Sequence, residues 1–85
     1  MPFEDAVLRI LSFAAARRGR WLSVASFAQG LNVDSGEVYP HLLRDDIGQI
    51  AYRFRYDYRI RRAQTHTARH GTYTSFELSA IWNGY

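Results

Sequence analysis

The 85-residue sequence has no cysteine, which excludes a disulfide framework and a thiolate metal site. It has no lysine either: its 11 cations are all arginine. A G+C-rich genome would explain that usage without any functional cause, although arginine is also the better phosphate fork and stacking group. No apolar run approaches the length of a membrane span, and the N-terminus lacks the basic-then-apolar layout of a signal peptide. A cytoplasmic protein without membrane contact is the expectation. There is no internal repeat, low-complexity stretch or linker, and the length suits one domain over residues 1–85.

Catalytic and metal chemistry have little to work with. His66 and His70 are four apart, but without cysteine they suit a polar hairpin tip better than a zinc site. His41 and Asp45 have helical i, i+4 spacing near Ser35, yet nothing supplies an oxyanion hole or a pocket. No enzyme, metal, cofactor or small-molecule ligand is expected.

What is present is alternation. From Ile50 to Arg62 the chain reads I-A-Y-R-F-R-Y-D-Y-R-I-R-R, with every second residue apolar or aromatic through Ile60. A period of two predicts a strand with an aromatic face and an arginine face. A second alternating run over 72–82 puts Phe76, Leu78, Ala80 and Trp82 on one face. Folding the two runs around a polar loop, Ala63 to Gly71, pairs Tyr58 with Phe76, Tyr56 with Leu78, Phe54 with Ala80 and Tyr52 with Trp82. That register sets Glu77 against Asp57, with Arg55 and Arg59 on the diagonals.

Three helices are predicted before this hairpin, at about 3–18, 24–31 and 35–47. The first has its stripe at Phe3, Val7, Ile10, Leu11 and Ala14, acids in its first turn, Arg17 and Arg18 in its last, and Gly19 beyond. Trp21 and Leu22 suit a very short strand, and Ser23 an N-cap for the second helix. Asp34 and Glu37 have the spacing of a capping box for the third, whose Pro40 is awkward inside a helix. Ala28, Asn32 and Val38 carry the spacing of a helix-turn-helix: a small residue at the helix contact, a turn residue that tolerates the left-handed region, and a β-branched lock.

The order of helix, short strand, two helices and long hairpin is similar to the winged helix-turn-helix domains, an α+β class. Within it, Ser35 to Arg44, S-G-E-V-Y-P-H-L-L-R, resembles the recognition helix of PadR-type regulators, often G-x-[LV]-Y-P-x-L-x-R. Asp45 and Asp46 depart from that pattern, and the family's long C-terminal dimerisation helix is missing. The resemblance implies a winged-helix fold and DNA binding, with the third helix in the major groove and the wing on the backbone.

Charge placement qualifies this. Residues 1–50 carry five arginines against six acids, whereas residues 51–85 carry six arginines against Asp57 and Glu77. The third helix is acidic, which suits phosphates poorly. The expected DNA contacts are therefore Ser35, Tyr39, His41 and Arg44 on that helix, Arg17, Arg18 and Arg20 after the first, and Arg59, Arg61, Arg62, His66, Arg69 and His70 on the wing. Thirteen extended residues span about 43 Å, further than a three-helix unit covers. Tyr56, Tyr58, Ile60 and Phe76 are thus expected to reach past the helices and to form a homodimer interface. The competing reading is a winged helix used for protein–protein contact without DNA.

Overall fold

The computed structural model describes residues 3–68 and 71–84, with side chains described over 3–61 and 76–84. Seven elements follow in order: α1 (Phe3–Ala16), β1 (Leu22–Ser23), α2 (Val24–Leu31), α3 (Ser35–Leu42), α4 (Ile47–Arg53), β2 (Tyr56–Ala68) and β3 (Gly71–Trp82). The strands form one antiparallel sheet in the order β1-β3-β2. The fold is α+β, with four helices among the described residues.

α1 buries Ala6, Val7, Ile10, Leu11 and Ala14, a stripe at helical spacing. It ends at Ala16, two residues short of the expected Arg18, because the chain turns left-handed at Arg18 (φ 55) and Gly19 (φ 81). Ser23 caps α2 as expected, its Oγ accepting from the Ser26 N–H at 3.2 Å. Asn32 closes α2 in the left-handed region (φ 57), and the Val33 N–H reaches back to the Ala28 carbonyl at 2.9 Å. Asn serves there because its short polar side chain tolerates that conformation.

The third helix departs from expectation. Asp34 stands at the N-cap of α3, but its side chain makes no capping bond, so the capping box is not formed. α3 stops at Leu42 instead of running to 47, where the Leu43 N–H closes the helix with a tighter i−3 bond to the Pro40 carbonyl at 3.3 Å. A separate helix, α4, then occupies Ile47–Arg53, where the alternation predicted strand from Ile50. Ile47, Ile50 and Ala51 repeat at i, i+3 and i+4 and are all buried. Burying that stripe outweighs the strand propensity of the Tyr-Arg-Phe-Arg run. In a helix Tyr52 points away from Ile50, so it lies 87% exposed rather than roofing the core. Phe54 and Trp82, also expected inside, are 36% and 43% exposed.

β2 starts only after Arg55, which turns left-handed (φ 66). The pairing is displaced accordingly: Tyr56 faces Trp82, Tyr58 faces Ala80, Ile60 faces Leu78 and Arg62 faces Phe76. Tyr56 thus meets a residue four further along β3 than the expected Leu78. Ala63 to Ala68, expected as loop, continue β2 after an irregularity between Arg62 and Thr65. Because the displacement is even, each strand keeps its inward set. Phe76, Leu78 and Ala80 are buried, while Tyr56, Tyr58 and Ile60 pack half-buried against the same core. The four residues expected to form an exposed dimer patch, Tyr56, Tyr58, Ile60 and Phe76, therefore belong to the core and its margin. α4 explains why. It lengthens the helical layer under the strand, with Gly48 directly beneath the Tyr58 hydroxyl.

Candidate nucleic-acid interface

The outward residues of the sheet are fixed by register. Arg59 pairs with Ser79, Arg61 with Glu77, and Glu77 with Ser23 of β1. Extending β1 by one residue sets Trp21 on the same outer face, and the side chains meet there. The Arg61 guanidinium carbon lies 4.2 Å from the Trp21 ring centre and that of Arg59 4.9 Å. Both distances are within cation–π range, worth about 0.5–1 kcal/mol each at an exposed site. Arg61 also bonds Glu77, Nε to Oε1 at 3.2 Å. The shifted register therefore replaces the expected Glu77–Asp57 clash with an attraction. Asp57 instead accepts from the Asn83 amide.

The turn after α1 is tied to this face. Ser79 is 2% exposed, and its Oγ donates to the Gly19 carbonyl at 2.6 Å. That bond seats the Arg17–Trp21 segment over β3, with Arg18 and Arg20 exposed at its sides. Arg59 and Arg61 thus share one indole, Arg18 and Arg20 stand exposed in the adjoining turn, and the carboxylates on this face are Glu77 and Asp57. Arg17 does not join them: it donates to the Phe13 carbonyl at 2.9 Å and stacks on the Phe13 ring at 3.4 Å.

The surface of α3 is different in kind. Ser35 is exposed at its first turn. Tyr39 is partly used in packing, edge-on to Phe76 with ring centres 5.3 Å apart. His41 is not presented outward: its ring lies 5.4 Å from Phe3, and its Nδ1 is buried without a hydrogen-bond partner. Burial lowers the His41 imidazole below its ordinary value of 6.5, with Arg44 adding to the effect and Glu37 opposing it. Arg44 stacks on Phe3 at 3.6 Å and donates to both Asp46 oxygens, at 3.2 and 3.4 Å. Beside α3, a groove of about 410 Å³ between α2 and α3 includes Asp34 and Glu37. No cation from the expected set is left free on this helix.

Of the wing residues, Arg62 and His66 are described in backbone only, and Arg69 and His70 lie outside the described residues. Trp21 was not anticipated as part of the site. Its position at the end of the run R-R-G-R-W is the signal that points to it. Among the described residues no helix is long and apolar enough to cross a membrane, and no three His, Cys, Asp or Glu side chains converge as metal ligands. No family model matches the chain, and neither a curated protein nor a solved structure is significantly similar to it.

Proposed function

We propose that this chain is a winged-helix-type protein that binds duplex DNA through the arginine side of its sheet and its wing, with α3 held away from the phosphates. The fold supports the class: α1, β1, α2 and α3 precede a long hairpin in winged-helix order, with α4 inserted before the wing. The observation that carries the reading is the pair Arg59 and Arg61 over Trp21, with Arg18 and Arg20 exposed in the turn seated over β3. Two guanidinium groups within 5 Å of one ring centre repel each other. A phosphate bridging them would relieve that repulsion while Trp21 holds their planes in place. Contacts of this kind position a protein on the backbone and carry little sequence information.

The test is the salt dependence of binding to a mixed-sequence duplex, followed by fluorescence anisotropy. Four phosphate contacts predict a log–log slope of about −3.6. Failure to bind at low salt would overturn the reading in favour of a protein–protein adaptor. The acidic groove between α2 and α3 favours that second reading, because it suits a basic partner segment.

A further inference from the structure

We propose that the outer edge of β2 is an interface at which a second copy of this chain adds its own β2, antiparallel, to form one continuous six-stranded sheet. It shares Arg59 with the nucleic-acid reading, but its test, the sedimenting mass, is read without DNA. In the order β1-β3-β2, β2 has a strand neighbour on one side only. Its outward row of N–H and C=O groups runs along a 13-residue strand. Edges of that length are usually blunted by proline, lysine or an early bulge. β2 has no proline, its charges are of both signs (Asp57 with Arg59, Arg61 and Arg62), and it pairs regularly from Tyr56 to Arg62.

The charges along the edge identify the occupant. Asp57 is the one acid in β2, and its neighbours in the outward row are Arg59 and Arg61. A two-fold axis through Tyr58 sets Asp57 opposite Arg59 of the second copy, and Arg59 opposite the second copy's Asp57. The same axis puts Tyr56 opposite the second copy's Ile60 and Tyr58 opposite Tyr58. Over the five residues so paired, 56–60, apolar residues meet apolar residues and the acid meets a cation, the cross-strand pairs that stabilise a sheet, while Arg61 lies opposite Arg55 just beyond the strand's start. Moving the axis to Arg59 sets that residue against its own copy, and moving it to Ile60 sets Arg59 against Arg61. A strand of unrelated sequence would leave Asp57 without its complement.

A second observation lies at the start of β2. Tyr52 is 87% exposed, and it lines a groove of about 410 Å³ together with Tyr56 and Asp57 at the start of β2. Exposed aromatic surface beside an open strand is what a second copy covers. The pairing is same-faced, so the Trp21, Arg59 and Arg61 groups of both copies lie on one side of the joined sheet.

Sedimentation from about 5 to about 500 µM should show the sedimenting mass doubling as concentration rises. Asp57→Arg should weaken association about tenfold or more by placing like charges opposite each other, and adding Arg59→Asp should restore it. Asp57→Asn, which keeps a side chain able to bond Asn83, should weaken association without disturbing the fold, as circular dichroism would verify. Because the chain has no cysteine, a single Tyr58→Cys variant should oxidise to a disulfide-linked dimer, while Arg59→Cys should not. A monomer throughout that range, unchanged association of Asp57→Arg, or cross-linking through position 59 instead of 58 would overturn the proposal.

Discussion

The region around α3 and the outer face of the sheet are both exposed and both carry arginine, but only the sheet holds one, Arg59, that is stacked on a ring without a carboxylate partner among the described residues as well. Just after α3, Arg44 is committed twice, to the Phe3 ring and to Asp46, and on the helix His41 is turned inward. On the sheet, Arg59 and Arg61 converge on Trp21, and Glu77 offsets only one of them. Topology alone would assign the polyanion to α3. The proposal places it on the sheet instead, because a helix bordered by Asp34, Glu37 and Asp45 lacks the counterion-release term that drives most DNA affinity.

The largest expected effect falls on a residue beneath the sheet. Leu78 is fully buried and pairs with both Leu22 and Ile60. Leu78→Ala should cost about 2–5 kcal/mol in urea unfolding, and it would loosen the frame that holds the arginine side. The functional contrast is tested next. Arg59→Ala with Arg61→Ala should reduce the salt slope by about 2, whereas Ser35→Ala with Tyr39→Phe should leave it unchanged. Equal losses from both pairs would put α3 back on the DNA.

Smaller effects sharpen the sheet side. Ser79→Ala strands the Gly19 carbonyl and should cost about 1–2 kcal/mol, measured by thermal unfolding. Glu77→Gln should release Arg61 and tighten DNA binding about threefold, with a stability change below about 1 kcal/mol. On the α3 side, burial lowers the His41 imidazole below its ordinary value, so the unfolded chain binds the extra proton first. Its contribution to stability is therefore complete above about pH 6.5 and is lost as pH falls through the lower folded value. His41→Phe should keep the stacking on Phe3 and show a smaller fall in melting temperature between pH 7.5 and 5.5.

The helical stripes of α1 and α2, the Ser23 cap, the Asn32 turn and the inward set of β3 were legible in the sequence, because each depends on neighbours close in the chain. Two features were not. Ile50 to Arg53 fits a period of two as well as a helix, and the choice depends on Ile47 and Ile50 finding α1 to pack against. With α4 unseen, the strand began too early, and its register and the supposed aromatic overhang were misplaced with it. The Trp21 group depends on β1 lying beside β3, a pairing of two residues that no local pattern announces. The inward turn of His41 depends likewise on Phe3, at the far end of another helix.

The even displacement of the hairpin pairing has a consequence for how such a wing can change length. Inside and outside along a strand form a two-beat reading frame. Adding or removing two residues between Arg55 and Arg59 would slide the strand yet return every later side chain to its own face. A single-residue insertion would be a frameshift: Tyr58 and Ile60 would turn to water, while Arg59 and Arg61 would turn into the core. Wings of this design can lengthen or shorten in pairs, and an odd step is tolerated only where the pairing already breaks, between Arg62 and Thr65.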